Sequence, residues 1–272
     1  MRCRYITTGK FEPGCINEDA VMARHDSFAV SDGAGGGGLF AELWSRYLVD
    51  NLPQKSIGNA DELDDWIAQI WQKFYNSCEE KAKLLGAMSL EKFYDEGSFA
   101  TLVAVWRTDP ATCQWISFGD SVAFHYNYRT KLLEHSFTAL GDFDNPPYLI
   151  NCKDELNKQG FRNGTFHVDD ASVVFAASDA LSHYIMMMYQ IAHQEEFNNE
   201  IEQAIAHHSK NENYIRAALS MDKTDFESKV IRKLKKCVGK KGRFKSYVQS
   251  LERQGLLAHD DYSLAFMWPA QR

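Results

Sequence analysis

Residues 17–38 read NEDAVMARHDSFAVSDGAGGGG, a stretch that holds an apolar segment between acidic residues and ends in a cluster of glycines. The segment 20–31 is predicted to form β-structure with a turn in its middle. Glu18 and Asp19 lie before this segment, and Asp32 lies directly after it. The glycines after Asp32 permit backbone conformations that a side chain would forbid, and they let a carbonyl oxygen come close to a cation.

Further acidic residues lie at the ends of apolar runs much later in the chain. Asp179 follows the run 172–177, while Asp260 and Asp261 precede the run 262–267. Carboxylates at strand ends can converge in space although they lie far apart in sequence. Converging carboxylates bind hard divalent cations through oxygen. The residues alone therefore make this chain a candidate metal-dependent hydrolase.

Each acidic group also has a plain structural interpretation. Residues 17–19 could form a solvated turn, and Asp179 could cap a helix that begins near Leu181. The glycine cluster could be a simple strand–turn–helix junction, or a dinucleotide-binding loop for which no βαβ unit with a later acidic residue is evident. Asp260 and Asp261 are harder to dismiss, because adjacent like charges repel each other unless solvent or a cation neutralises them.

The bulk composition excludes several classes of protein. With 272 residues, 44% hydrophobic and 25% charged, the chain is long enough for a globular core. Its net charge of −7 argues against a dedicated nucleic-acid or membrane-surface protein. No apolar run reaches the roughly 18 residues of a membrane-spanning helix. The N-terminus lacks the apolar centre of a signal peptide, and the six cysteines include no Cys-x-x-Cys pair. Reduced thiols and a cytoplasmic location are therefore expected.

The predicted strands and helices occur in separate runs along the chain. Strands are expected, besides 20–31, at 98–107, 113–119, 121–128, 172–177 and 262–267. Helices are expected at 39–52, at 62–86 with Asp61 as the N-cap, and through most of 181–257, whereas 141–164 is expected to be irregular. This grouping favours an α+β protein with antiparallel sheets over an alternating βαβ fold.

Six short motifs give the chain a specific resemblance. In order, they are Asn17-Glu18-Asp19, Asp32-Gly33-Ala34-Gly35-Gly36, Gly97-Ser98-Phe99-Ala100-Thr101, Gly119-Asp120-Ser121, Ser178-Asp179-Ala180 and Asp260-Asp261-Tyr262-Ser263. Together they resemble the motifs of the type 2C, metal-dependent serine/threonine protein phosphatases. Each motif is weak by itself, but the ordered set spans nearly the whole chain.

The resemblance implies a particular fold. Members of this family contain two antiparallel β-sheets that form a central sandwich flanked by α-helices, a four-layer αββα arrangement. This agrees with the α+β prediction. Residues 1–272 would then form a single domain, with a mainly helical flap within about 182–258 that selects the substrate.

The resemblance also implies a site for two or three Mn²⁺ or Mg²⁺ ions. Asp32 would bridge two ions, and the Gly33 carbonyl would join one of them. Asp179 and Asp260 would complete the coordination of the first ion, and Glu18 would be a ligand of the second. The full set of implied metal residues is Glu18, Asp19, Asp32, Gly33, Asp179, Asp260 and Asp261, where Asp19 supports Glu18 and Asp261 is a neighbour of the ligands. Asp32 and Asp179 are the residues expected to be essential for catalysis.

The implied activity is hydrolysis of phosphoserine and phosphothreonine on proteins by metal-activated water. No phosphoenzyme is needed, so no nucleophilic side chain has to be found. The implied partners are a phosphorylated protein substrate and a serine/threonine kinase, with no nucleic acid and no membrane. Two alternatives stay open: a catalytically weak or inactive regulatory module with the same fold, and a phosphatase of small phosphorylated metabolites.

The chain departs from the family pattern where the substrate is held. Gly14 lies where the family often has an arginine that binds the substrate phosphate, and glycine offers no such contact. Lys10, Arg4 and Arg24 are the basic residues that could replace it. Ala34 lies where some relatives carry a histidine proposed to protonate the leaving group. These departures concern catalysis more than metal binding.

Overall fold

A computed structural model describes residues 2–206, 209, 211–221 and 225–268. Twelve strands occur among them: β1 Arg2–Thr8, β2 Ala20–Ala23, β3 Ser27–Ser31, β4 Phe99–Ala100, β5 Leu102–Asp109, β6 Thr112–Phe118, β7 Val122–Asn127, β8 Leu133–His135, β9 Ile150–Asn151, β10 Phe161–His167, β11 Ser172–Ala177 and β12 Tyr262–Trp268. The α-helices of the same residues are α1 Ala41–Asp50, α2 Ala60–Leu85, α3 Ala87–Glu96, α4 Asp179–Ala192, α5 Gln194–Ala206, α6 Glu212–Leu219, α7 Arg232–Cys237 and α8 Lys241–Arg253. None of these helices combines the length and the apolar character that crossing a membrane requires.

Ten of the strands form two five-stranded antiparallel sheets. The first sheet has the order β1-β12-β11-β7-β8, and the second has the order β10-β6-β5-β3-β2. Val103 and Val105 of β5 point into a buried cluster that also contains Ala176 of β11 and Ala265 of β12, so the two sheets pack face to face. The alternation of side chains along each strand leaves the other face of each sheet to the helices.

Helices cover both outer faces of this sandwich. On the second sheet, Trp44 of α1 and Phe74 of α2 pack in one cluster with Leu102 of β5. On the first sheet, Met187 of α4 packs in another cluster with Phe175 of β11. The prediction of an α+β sandwich of two antiparallel sheets flanked by helices is confirmed.

Two local predictions were wrong. Helix α2 begins after Asn59, whose side chain accepts a hydrogen bond from the Glu62 backbone N–H at 2.9 Å, so Asn59 is the N-cap and Asp61 lies in the first turn. The segment 141–164 was expected to be irregular, but β9 lies within it and β10 begins at its end and pairs with β6.

The strand registers bring the acidic segments to one end of the sandwich. In the first sheet, Ala177 pairs with Leu264, and the Ser178 N–H donates to the Ser263 carbonyl, so the end of β11 adjoins the start of β12. In the second sheet, Ala20 pairs with the last residue of β3. The residues just outside these strand ends are therefore neighbours across the two sheets.

Candidate metal centre

Five carboxylates from five segments of the chain interact at this end of the sandwich. Burial and then repulsion from Asp19, Asp179, Asp120 and Asp260 raise the pKa of Asp32 well above its ordinary value. Burial and repulsion from Asp120, Asp260 and Asp19 raise the pKa of Asp179 in the same way. Four of these five were predicted as site residues, and Asp120 joins them. The described residues nevertheless contain no group of three or more acidic, histidine or cysteine side chains that could hold an ion as they are arranged.

Asp19 is the most deeply buried member of this cluster, with an exposed fraction of 4%. Neither of its carboxylate oxygens has a hydrogen-bond partner among the described residues. Burial raises its pKa to about 7, although the nearby hydroxyls of Ser178 and Ser263 act in the opposite direction. An ionised carboxylate buried without partners is costly, and a bound cation would relieve that cost.

Asp32 is held through its backbone by two of the other motifs. Its N–H donates to the Thr101 Oγ1 at 3.1 Å, and its carbonyl accepts from the Thr101 N–H at 2.8 Å. The hydroxyls of Thr101 and Ser121 share a hydrogen bond of 2.8 Å, and the Ser31 hydroxyl donates to the Thr101 carbonyl. The Gly-Ser-x-Ala-Thr and Gly-Asp-Ser motifs thus fix the position of Asp32, and their hydroxyls are engaged in hydrogen bonds.

The glycines after Asp32 allow the loop to close around Glu18. A Cβ on Gly33 would lie 2.6 Å from the Ala41 carbonyl oxygen and 2.8 Å from the Glu18 carbonyl oxygen. A Cβ on Gly35 would lie only 2.0 Å from the Glu18 Oε1. A side chain at Gly33 would clash with backbone atoms, so glycine is required there by close packing, whereas a side chain at Gly35 would displace the Glu18 carboxylate.

Asp261 supports the loop that carries Glu18. It is 3% exposed, and its two oxygens accept backbone N–H groups of Lys10 and Glu18, each at 2.7 Å. The Glu18 carbonyl in turn accepts from the Ser45 hydroxyl at 2.5 Å and from the Gly33 N–H at 3.2 Å. This arrangement suits the role of a neighbour that positions a ligand. The assignment of Glu18, Gly33 and Asp261 to a metal site stays a prediction.

The three basic residues that could replace an arginine at position 14 have different contacts in the structure. The Lys10 ammonium lies 3.1 Å from the Asp260 Oδ1, at the carboxylate cluster. Arg24 instead donates to the carbonyls of Leu52 and Asp50 at the end of α1. Arg4 lies exposed on β1.

Two functional candidates were missed by the sequence analysis. Asp120 belongs to the motif Gly119-Asp120-Ser121, but no role was predicted for it. Burial raises its pKa to about 6 against the opposing effect of Arg162. Arg162 donates to the Gly119 carbonyl and lies 4.8 Å from the Phe137 ring centroid. No sequence signal could have identified Arg162, because β10 itself was not predicted.

A cavity of about 260 Å³ lies beside Asp120 and Arg162 and is also lined by Phe137 and Tyr148. The Arg162 Nε atom is buried without a hydrogen-bond partner among the described residues. A larger cavity of about 570 Å³ lies along residues 191–198, and none of the clustered carboxylates lines it. The smaller cavity is therefore the one that adjoins the candidate centre.

No protein-family model matches the chain, and no curated protein matches its sequence. Solved structures do match over the full length. The serine/threonine phosphatase Stp1 from Staphylococcus aureus is 12% identical with a TM-score of 0.55, over 99% of this chain and 95% of that chain. A bacterial serine phosphatase is 13% identical with a TM-score of 0.55, over 100% of both chains. The Mycobacterium tuberculosis serine/threonine phosphatase PstP/Ppp is 13% identical with a TM-score of 0.52, over 97% of both chains. Over its full length, this chain therefore has the fold of bacterial serine/threonine phosphatases of the type 2C kind.

Proposed function

We propose that this chain is a metal-dependent phosphatase that hydrolyses phosphoserine and phosphothreonine on proteins. One observation carries the proposal: five carboxylates from distant segments lie together, and burial with the repulsion among them raises the pKa values of four, Asp19, Asp32, Asp120 and Asp179. Such a cluster destabilises the folded chain unless positive charge is supplied. Its presence at the strand ends of this fold supports a site whose purpose is to bind cations.

The donor set fits Mn²⁺ or Mg²⁺. All the donors are oxygens, which hard divalent cations prefer, and both oxygens of Asp19 lack a partner among the described residues. We assign Asp32, Asp179 and Asp260 to one side of the centre and Glu18, supported by Asp19, to the other. When bound, two or three such ions would supply the Lewis acidity that activates water and offsets charge on the phosphoryl oxygens.

The chain's own residues orient the carboxylates. Thr101 fixes the Asp32 backbone, and Asp261 fixes the Glu18 backbone. Asp179 lies in the first turn of α4, where the helix dipole favours a negative charge. A phosphate monoester is itself an anion, and the uncompensated cluster would repel it. Substrate binding should therefore depend strictly on bound cations.

The test is hydrolysis of phosphoserine and phosphothreonine peptides by the full chain in Mn²⁺ or Mg²⁺. Asp32→Ala and Asp179→Ala should each lower kcat/KM by roughly 10²-fold or more, because each removes a fixed charge that holds the centre. Asp170→Ala is the matched control, because Asp170 is 85% exposed and pairs with Arg129. Full activity in chelator, or in Asp32→Ala, would contradict the proposal.

A second candidate is a regulatory module with the same fold and weak or no catalysis. The observation in its favour is Gly14, which is exposed in a loop with φ of +85°; a Cβ added there would meet no described atom within 4 Å. If the chain binds Mn²⁺ by calorimetry but hydrolyses neither phosphopeptides nor p-nitrophenyl phosphate, this candidate replaces the first. Turnover of sugar phosphates in preference to phosphopeptides would instead favour a metabolite phosphatase.

The organisation of the chain and its partners remain proposals of the same kind. We infer a single domain over 1–272, with the mainly helical region within about 182–258 as the flap that faces the substrate. A phosphorylated protein is the proposed substrate, and a serine/threonine kinase that phosphorylates it is the proposed partner. Limited proteolysis followed by mass spectrometry would test the domain proposal, because a single domain should resist cleavage into two stable halves.

A further inference from the structure

Lys10 is attached to the carboxylate cluster through both its backbone and its side chain. Its N–H donates to the Asp261 Oδ1 at 2.7 Å, and its ammonium lies 3.1 Å from the Asp260 Oδ1. Its side chain is 29% exposed, so it is partly accessible to solvent although it contacts the cluster. The backbone bond fixes where the side chain starts, while its four carbons leave the ammonium free to move.

Lys10 differs from the other cations near the cluster. Arg162 acts on Asp120, but its guanidinium donates to the Gly119 carbonyl and lies over the Phe137 ring, which fixes its position. Lys10 acts instead on Glu18, where its charge opposes the rise in the pKa that burial causes. The Lys10 side chain is paired with Asp260, a carboxylate that we assign to the metal centre.

We propose that Lys10 serves two partners in turn: it neutralises Asp260 in the metal-free chain, and it binds a phosphoryl oxygen of the substrate once a divalent cation holds Asp260. This inference rests on the proposed function. An ammonium and a divalent cation compete for the same carboxylate, and the divalent cation carries the larger charge. The released ammonium then lies beside the position of an incoming phosphate, which lysine binds as a point charge. Lys10 would thereby supply the cationic contact that Gly14 lacks.

The test measures two affinities by isothermal titration of the full chain: Mn²⁺ without phosphate, and inorganic phosphate at saturating Mn²⁺. Lys10→Met should bind Mn²⁺ about three- to fivefold more tightly, because a part-exposed competing ion pair is lost. The same variant should bind phosphate about tenfold more weakly, because a charged hydrogen-bond donor is lost. Lys10→Arg should keep phosphate affinity within about threefold of the wild type, because it restores the charge.

Lys55→Met is the matched control, since Lys55 is exposed and lies in the segment between α1 and α2. It should leave both affinities unchanged. A Lys10→Met variant that loses affinity for both Mn²⁺ and phosphate would show a structural role and overturn the inference. Wild-type affinities in that variant would overturn it as well. A wild-type chain that binds both ligands, with opposite shifts in Lys10→Met, but hydrolyses no phosphopeptide would contradict the proposed function alone.

Discussion

At the scale of single residues, Asp261 and Asp32 are adjacent to the same centre, but Asp261 is held through its carboxylate and Asp32 through its backbone. Both Asp261 oxygens accept backbone hydrogen bonds, at 2.7 Å each. Asp261→Asn leaves only one acceptor oxygen for two N–H donors, so one donor loses its partner in a buried position. We expect a loss of about 1–3 kcal/mol in the free energy of unfolding, measured with urea in chelator. An unchanged or higher stability would show that relief of charge repulsion outweighs the lost hydrogen bond.

Asp32→Asn should act in the opposite direction. Asp32 is fixed through its backbone by Thr101, whereas its carboxylate is repelled by Asp19, Asp179, Asp120 and Asp260. A neutral side chain of the same shape removes that repulsion. In chelator near pH 8 we expect the variant to have a higher free energy of unfolding than the wild type, because the repelled charge is removed from a buried position. A metal-free variant that is less stable than the wild type would contradict the repulsion that we infer from the pKa values.

A residue of the site could be predicted from the sequence only where a short local motif marks it. Asp32, Asp179 and Asp260 were identifiable because each belongs to a short motif next to an apolar run. Lys10 could be named only as one of three candidates, since its selection depends on the distance to Asp260. Arg162 could not be found, because its approach to Asp120 is a result of strand pairing between distant segments.

At the scale of elements, the start of α2 gives a direct test of the corrected N-cap. The Asn59 side chain accepts from the Glu62 N–H, and the Glu62 carboxylate accepts from the Gly58 N–H at 2.8 Å. Because the Asn59 side chain satisfies the Glu62 N–H, a group that the first turn of the helix leaves free, Asn59→Ala should lower stability by about 1 kcal/mol. Asp61→Ala should cost less, because Asp61 is an exposed partner of Lys158. Thermal unfolding of both variants tests this expectation. A larger loss of stability in Asp61→Ala than in Asn59→Ala would support Asp61 as the N-cap.

Strand β10 shows why a pattern in the sequence can conceal an element. Its sequence contains Asn163-Gly164, a pair that is typical of turns. In the structure Gly164 pairs with Trp115, and a Cβ there would lie 2.4 Å from the Trp115 ring. The glycine is present because an aromatic ring from the neighbouring strand occupies the space of a side chain. That contact lies between distant parts of the chain, so the sequence around Gly164 does not show it.

At the scale of the whole molecule, the two sheets make one centre from distant segments. The ends of β3 and β11 and the starts of β2 and β12 meet because each sheet is antiparallel and the two sheets pack face to face. The grouping of predicted strands and helices favoured antiparallel sheets, and the resemblance to the type 2C phosphatases implied the sandwich and the common site of the acidic motifs. The registers themselves were not predictable, because they depend on which strands pair across long loops.

The cluster should make the stability of the metal-free chain depend on pH. The folded-state pKa values of Asp19, about 7, and Asp120, about 6, lie above the ordinary aspartate value, and those of Asp32 and Asp179 are also raised. The folded chain therefore binds more protons than the unfolded chain between about pH 4 and pH 7, and the contribution of these groups to stability falls as pH rises through that window. His183 acts in the opposite sense, because burial lowers its pKa to about 4 and its contribution is lost as pH falls.

The effect of the carboxylates can be separated from that of His183 by measuring Tm with and without Mn²⁺ at each pH. His183 contributes equally to the two Tm values, so their difference reports the carboxylates. At about pH 5.5 the bound ion must displace protons from the carboxylates, whereas at about pH 8 fewer protons remain. We therefore expect saturating Mn²⁺ to increase Tm more at about pH 8 than at about pH 5.5. The reason is that an ion that binds only the folded chain stabilises it more as its affinity rises. Asp32→Ala should reduce the increase and flatten its dependence on pH. An increase in Tm that is independent of pH in the wild-type chain would mean that Mn²⁺ binds away from the carboxylate cluster.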